Sequence, residues 1–231
     1  MFDAIARRYD LLNRLLSAGL DQRWRARAVD ALALEGHEVV LDLCTGTADV
    51  ALGALARGEG AARVIGLDFS HEMLRRGLTK VRRLGLAPRV TLVRGDAMHV
   101  PLPDASVDAA TIAFGIRNVQ QPDRACRELI RVLRPGGRLA VLEFGLPSRP
   151  LLRRAYLAYA VRLLPLVGRL VSRHASAYAY LPESVGRFPP PEAFGALLRQ
   201  SGFAQVRIVP LTFGVVYLYV AQTSHAPVEA A

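Results

Sequence analysis

Lysine is nearly absent from this chain. Lys80 is the single one in 231 residues, and every other side chain counted among the 30 Lys+Arg is an arginine. Cysteine is almost as scarce: Cys44 and Cys126 stand alone, too few and too far apart for a disulfide framework or a metal site. No run approaches 18 uninterrupted apolar residues, so nothing reads as a membrane span. The start, MFDAIARRYD, places acidic and arginine side chains where a secretory signal keeps its apolar core, and a cytoplasmic location is expected. Negative charge is also short, with 20 acidic residues and a net charge of +10. Such an excess suits nucleic acid or an anionic membrane surface, and it is equally what a coding bias toward arginine and alanine leaves behind. Hydrophobic content of 52% and charged content of 22% argue for a folded chain rather than a disordered one. The length suits one α/β domain with a sizeable core.

What is present is alternation. EVVLDL (38–43), RVIGLD (63–68), RVTLVRG (89–95), VDAATIAF (107–114) and GRLAVLEF (137–144) read as strands. Between them DVALGALARG, SHEMLRRGLTKVRRLG and QPDRACRELIRVLRPGG have helical spacing and end at glycine or Pro-Gly. Strands alternating with helices imply βαβ crossovers and a parallel sheet covered on both faces. The stretch 150–191 reads as one or two helices broken near Pro165 and Gly168, then an irregular segment. A short helix (191–202), a β-hairpin at the sheet edge and a frayed tail follow. The fold expected is a single doubly wound α/β domain.

LDLCTGTADVA (41–51) resembles a nucleotide-binding turn that has kept one glycine, Gly46. In open doubly wound sheets ligands bind at the carboxyl ends of the strands, where strand order reverses. Asp42, Asp68 and Asp96 (followed by Ala97) each end one of three consecutive strands. One such Asp could merely cap the helix after it; three in succession favour a nucleoside-like ligand whose hydroxyls a carboxylate accepts. A dinucleotide site would show G-x-G-x-x-G for its pyrophosphate. Here Asp49 opens the helix and would repel phosphate, so a cationic ligand without phosphate, S-adenosylmethionine, fits better. The loop, the acidic end of the second strand and LRPGGRLAV resemble the class I methyltransferases; Cys44 and Ala48 stand where that pattern has glycine, so the loop backbone is expected to avoid positive φ there.

Longer strings narrow this. MFDAIARRYDLLNRLLSAGLDQRWR, FGIRNV (114–119), LRPGGRLAVLEF (133–144) and AYAYLPESVGRFP (177–189), taken together and in order, resemble the ubiquinone/menaquinone biosynthesis C-methyltransferase family over nearly the whole chain. The resemblance implies a class I methyltransferase fold, Rossmann-like, with a mostly parallel seven-stranded sheet and a C-terminal antiparallel hairpin. It implies one domain over 1–223, with an N-terminal helical lid (1–35), a helical insertion facing substrate or membrane (150–188) and a flexible tail (224–231). The activity implied is methyl transfer from S-adenosylmethionine to a ring carbon of a polyprenylated quinol, first demethylmenaquinol, with the benzoquinol of ubiquinone synthesis as the alternative. Carried over by position, Thr47, Asp68, Asp96, Ala97 and Ala113 match the family's cofactor residues, and the loop itself adds Asp42 and Gly46 as candidates; many family members have a hydroxyl side chain where Ala113 stands.

Carbon methylation needs an electron-rich ring carbon, which ionisation of the quinol hydroxyl provides. Arg117 and Asn118 of FGIRN are expected to face the methyl, with Arg117 stabilising the phenolate because arginine stays charged. His174 or a bound water is the easier direct base. Tyr9, Tyr178 and Tyr180 are the candidate substrate residues, with Trp24 packed beneath the lid. On a helical wheel Arg154, Arg162, Arg169 and Arg173 oppose Leu152, Tyr156, Tyr159, Leu163, Val167 and Leu170, a face suited to an anionic bilayer or to a core. Peripheral membrane contact is expected, a homodimer is allowed, and no metal is called for. An RNA-directed methyltransferase or an RNA-binding protein, which the charge alone would permit, is the distant alternative: no Asn/Asp-Pro-Pro-aromatic motif, no Pro-Cys and no basic strip interleaved with aromatics occurs.

Overall fold

The structure, a computed structural model, describes residues 9–57, 59–159 and 183–225, and the side chains of all of these except 9–12 and 155. In chain order the elements are α1 (Tyr9–Leu16), α2 (Leu20–Asp30), β1 (Val39–Leu43), α3 (Asp49–Ala56), β2 (Arg63–Asp68), α4 (His71–Arg83) and β3 (Val90–Arg94). They continue as β4 (Val107–Ala113), a 3-10 turn (Ile116–Asn118), α5 (Pro122–Val132), β5 (Leu133–Phe144) and α6 (Pro150–Ala158). The last are α7 (Pro191–Gln200), β6 (Gln205–Leu211) and β7 (Val216–Gln222).

The seven strands form one sheet in the order β3-β2-β1-β4-β5-β7-β6. β1 pairs in parallel with both β2 and β4, so strand order reverses at β1. β7 joins β5 antiparallel, and β6 closes the edge antiparallel to β7. This is the expected mostly parallel doubly wound sheet with its terminal hairpin.

Alternation along the strands divides the core. Val40, Val64, Ala140 and Leu142 face one side, where they meet Trp24, Ala28 and Val29 of α2 and Ala51 and Ala54 of α3. Leu41, Leu43, Ile112, Leu139 and Val141 face the other, against Ala125 and Leu129 of α5 and Phe194 and Leu198 of α7. The helices begin where local chemistry favours them: the Ser70 hydroxyl accepts the Met73 N–H at the start of α4, and Pro122 and Pro191 occupy first-turn positions that need no N–H.

One boundary differs from expectation. LRPGG, read as the helix stop, already belongs to β5: Leu133 pairs with Val107, and the register resumes at Ala109 and Arg138 after an irregularity. The Pro-Gly pair makes a bulge inside the strand, where glycine and proline are tolerated.

Candidate active site

The loop after β1 is built from alternate left-handed residues. Cys44, Gly46 and Ala48 have φ of 59°, 57° and 66°. This corrects the expectation that Cys44 and Ala48 avoid positive φ: each adopts it without being glycine, at a cost of order 1–2 kcal/mol per residue. The compensation lies underneath. Asp42, wholly buried, accepts hydrogen bonds from Thr111 Oγ1 at 2.7 Å, Thr45 Oγ1 at 2.6 Å and the Ala51 N–H at 3.1 Å. Burial pushes its carboxyl up to about 6, against the pull of those three donors. The sequence leads one to expect Asp42 on the cofactor; its oxygens are instead engaged inside the protein, where they hold the strained loop to β4 and α3.

Above the loop a cavity of about 340 Å³ opens at the carboxyl ends of β1, β2, β3 and β4, within the size range of small-molecule sites. Of the expected cofactor residues, Gly46, Asp68, Asp96, Ala97 and Ala113 line it, as does Asn118 from the FGIRN turn. A Cβ at Gly46 would meet nothing within 4 Å, so this glycine leaves the backbone open to a ligand. Asp68 accepts the Gly46 N–H through one oxygen and the Ser70 N–H through the other, both at 2.8 Å. Asp96 accepts the Met98 N–H at 2.9 Å, with His99 Nδ1 3.7 Å away. Two carboxylates thus stand at adjacent strand tips, oriented by backbone N–H groups.

Thr47 sits elsewhere. A second space of about 30 Å³ adjoins the first, bordered by Arg25, Asp42, Thr47 and Asp49, and Cys44, Gly46 and Ala113 border both spaces. Thr47 Oγ1 accepts from Lys80 Nζ at 2.9 Å, and Lys80 also pairs with Asp49 Oδ1 at 2.6 Å. Arg25 reaches the other Asp49 oxygen at 2.9 Å and Asp21 at 3.1 Å.

Arg117 is engaged by the protein itself. It does not line the cavity, and its guanidinium pairs with Glu143 Oε1 at 2.7 Å; it also donates to the Phe114 carbonyl at 2.5 Å and the Ser184 hydroxyl at 3.3 Å. The backbone N–H of Arg117 reaches Glu143 as well, at 3.3 Å. So engaged, the cation fixes the turn that presents Asn118. The turn also needs its glycine, because a Cβ on Gly115 would come within 2.3 Å of Cys44 Cβ.

Trp24 is buried as expected, edge-on to Phe114 and Phe144, and its indole N–H donates to Thr212 Oγ1 at 2.8 Å. Tyr159, just past α6, donates to the Leu16 carbonyl at 2.5 Å and ties that segment to the end of α1. Tyr9 begins α1, and only its backbone is described. His174, Tyr178 and Tyr180 lie outside the described residues, as do Arg162, Leu163, Val167, Arg169, Leu170 and Arg173 of the proposed amphipathic face. Within the described part Arg154 is exposed and Leu152, Tyr156 and Tyr159 are partly covered, in keeping with the wheel.

Sequence reasoning missed Glu143, Arg25, Asp49 as an ion-pair centre, and Phe69, which lines the cavity next to Asp68. Glu143 did leave a signal: it is the one carboxylate in the apolar run LAVLEF.

Among solved structures, the [4+2]-cyclase SpnF superposes with a TM-score of 0.71 at 18% identity, over 98% of this chain and 95% of its own. A putative S-adenosyl-L-methionine-dependent methyltransferase from Methanococcus maripaludis gives 0.69 at 19%, over 99% and 96%. These likenesses establish the fold. Among sequences, the ubiquinone/menaquinone biosynthesis C-methyltransferase UbiE of Syntrophotalea carbinolica is 50% identical over 95% of this chain and 91% of its own length. The demethylmenaquinone methyltransferase of Thermus thermophilus is 49% identical over 95% and 98%. The family model described as ubiE/COQ5 methyltransferase matches residues 1–223. With that match over nearly its whole length, the chain belongs to the ubiE/COQ5 methyltransferase family.

Proposed function

We propose that the protein methylates a ring carbon of a polyprenylated quinol, demethylmenaquinol in the first instance, with S-adenosylmethionine as methyl donor. The observation that carries this reading is identity near 50% over 95% of the chain to relatives named for that reaction. The site is compatible with it: a nucleoside-sized cavity, two carboxylates at strand tips, an open glycine and no fingerprint for pyrophosphate. S-adenosylmethionine supplies an electrophilic methyl on a positively charged sulfur.

The chain's own residues do the rest. Asp68, braced by Gly46 and Ser70, accepts the ribose hydroxyls, and Asp96 with Ala97 borders the base. Asn118 reaches the cavity and orients the quinol oxygen. Arg117 acts through position: paired with Glu143, it holds the FGIRN turn that presents Asn118. Tyr9, His174, Tyr178 and Tyr180 remain the proposed substrate contacts, with His174 or a water taking the quinol proton. Alignment and exclusion of water supply much of the barrier lowering.

A tail-bearing substrate resides in a bilayer, and we infer peripheral contact with an anionic membrane surface. Among the described residues no helix is long and apolar enough to cross a membrane. Leu151 is 79% exposed beside exposed Arg149, Arg153 and Arg154, and Phe213, on the turn before β7, is 76% exposed. An apolar side chain flanked by arginines, as at Leu151, matches such a surface.

The deciding experiment incubates purified protein with methyl-labelled S-adenosylmethionine and each demethylated quinol in turn. Label in the naphthoquinol supports the proposal, label only in the benzoquinol moves the protein to ubiquinone synthesis, and label in neither ends it. Co-sedimentation with anionic liposomes at low salt tests the membrane contact separately; absence of binding removes it.

A further inference from the structure

Three consecutive residues before β7 have left-handed backbones: Thr212, Phe213 and Gly214, with φ of 46°, 58° and 87°. Glycine takes such angles freely, but a β-branched threonine and a phenylalanine do so only under constraint. The constraint comes from both sides. Thr212 Oγ1 accepts the Trp24 indole N–H at 2.8 Å, and the Thr212 carbonyl accepts the Val215 N–H at 3.2 Å. The Val215 carbonyl in turn accepts the Gly145 N–H at 3.0 Å, which ties the turn to the end of β5. Leu211 and Val216 on either side are buried, while Phe213 between them stands 76% exposed. Backbone strain of this kind is kept where it serves a function.

The turn also has a telling position. Val216 pairs with both Phe144 and Leu211, so the turn lies at the carboxyl end of β5. β5 runs parallel to β4, whose end borders the large cavity, so turn and cavity share one edge of the sheet. α6 starts from the same edge with Leu151 exposed, and the segment leading to it passes beside the turn: a Cβ on Gly214 would lie 3.5 Å from Pro147 Cα. Charge here has one sign. Residues 144–158 and 203–225 contain Arg149, Arg153, Arg154 and Arg207 and no aspartate or glutamate. Acidic side chains are missing where an anionic surface would repel them.

We propose that Phe213 and Leu151 are the points at which the protein enters an anionic bilayer, a reading that rests on the peripheral membrane contact proposed above. Phe213 passes the headgroups to the acyl boundary, Leu151 enters with it, and Arg149, Arg153 and Arg154 pair with lipid phosphates. Docking in this way turns the cavity edge of the sheet toward the lipid. A quinol ring then crosses only the headgroup layer to reach the cavity, and its polyprenyl tail stays among the acyl chains.

The full chain and vesicles of phosphatidylglycerol and phosphatidylcholine in equal parts test this. Phe213→Asn removes the ring and suits the left-handed turn, since asparagine tolerates that region. It is expected to lower vesicle partitioning by about five- to thirtyfold, part of the roughly ten- to hundredfold that complete burial of one phenylalanine gives. Leu151→Gln should act in the same direction. Phe213→Trp puts an indole at the tip, which lipids brominated on their acyl chains should quench, while buried Trp24 of wild type stays unquenched. In Phe213→Asn, methylation of a quinol with a short, water-soluble tail should be unchanged, and KM for a long-tailed quinol in vesicles should rise. Wild-type binding that Phe213→Asn leaves unchanged overturns the anchor and leaves the membrane contact standing; wild type that binds no vesicles overturns both. A rate on the short-tailed quinol that falls equally assigns Phe213 to the reaction site and overturns the proposal. So does an indole shielded without vesicles in a protein that sediments as a dimer, which assigns the turn to a second copy of the chain.

Discussion

Arg117 and Glu143 form an ion pair at 2.7 Å in which the Glu143 side chain is wholly buried and that of Arg117 is 8% exposed. The two come from different strand ends, the turn after β4 and the tip of β5, so the pair fastens the FGIRN turn to the neighbouring strand. Removing one member of such a pair strands a charge. Glu143→Ala is expected to cost about 3–5 kcal/mol of stability in urea denaturation. Glu143→Gln, which keeps the shape, should cost less and lower kcat while S-adenosylmethionine affinity holds within about twofold. A loss confined to S-adenosylmethionine affinity would contradict this separation.

Asp68 receives both the Gly46 and the Ser70 N–H groups. Asp68→Ala therefore removes a ligand acceptor and the brace of the loop at once. Binding of S-adenosylmethionine, measured by calorimetry, should weaken by about ten- to a hundredfold, as for loss of one hydrogen bond to a charged group. An unchanged Kd would place the nucleoside elsewhere.

Gly115 and Cys44 compete for one volume. Gly115→Ala puts a Cβ within 2.3 Å of Cys44 Cβ and should destabilise by about 1–3 kcal/mol. Cys44→Gly removes the obstructing atom and also relieves a left-handed φ of 59°. The double variant should recover most of the lost melting temperature; a double variant as unstable as Gly115→Ala shows that the clash is not the cause.

Asp42 gives the fold a pH dependence with a defined sign. Its pKa is raised from 3.8 to about 6 by burial, so the folded chain holds this proton between those values and the unfolded chain does not. The contribution of the neutral carboxyl is complete below about pH 4 and lost as pH rises through about 6, roughly 3 kcal/mol in all. Asp42→Asn has no such term. Its stability deficit relative to wild type should shrink between pH 4 and pH 7 in paired urea titrations; a deficit independent of pH would refute the assignment.

The strands of the parallel sheet were legible because each is an apolar run closed by a polar tip, and burial on both faces demands such runs. Asp68, Asp96, Ala97 and Asn118 were legible for a related reason: position at a strand end already determines the edge at which a residue emerges. Less could be read where tertiary contacts override local preference. Cys44 and Ala48 accept positive φ because Asp42, Thr45 and Thr111 bond beneath them, a triangle that closes only when β1 lies beside β4. The direction of Arg117 depends on Glu143, 26 positions away, and the Arg25–Asp49 pair on a helix packed over the loop. Bulge chemistry at Pro135–Gly136 looked like a helix stop because the same residues serve both purposes.

Trp24 is the only tryptophan in the chain, and its ring lies 6.2 Å from that of Phe114, a wall residue of the large cavity. Its indole N–H is bonded across to the turn before β7. The chain thus carries a single indole fluorophore packed against a wall residue of the cavity, and its emission is expected to shift when a ligand fills that cavity, which a label-free titration checks.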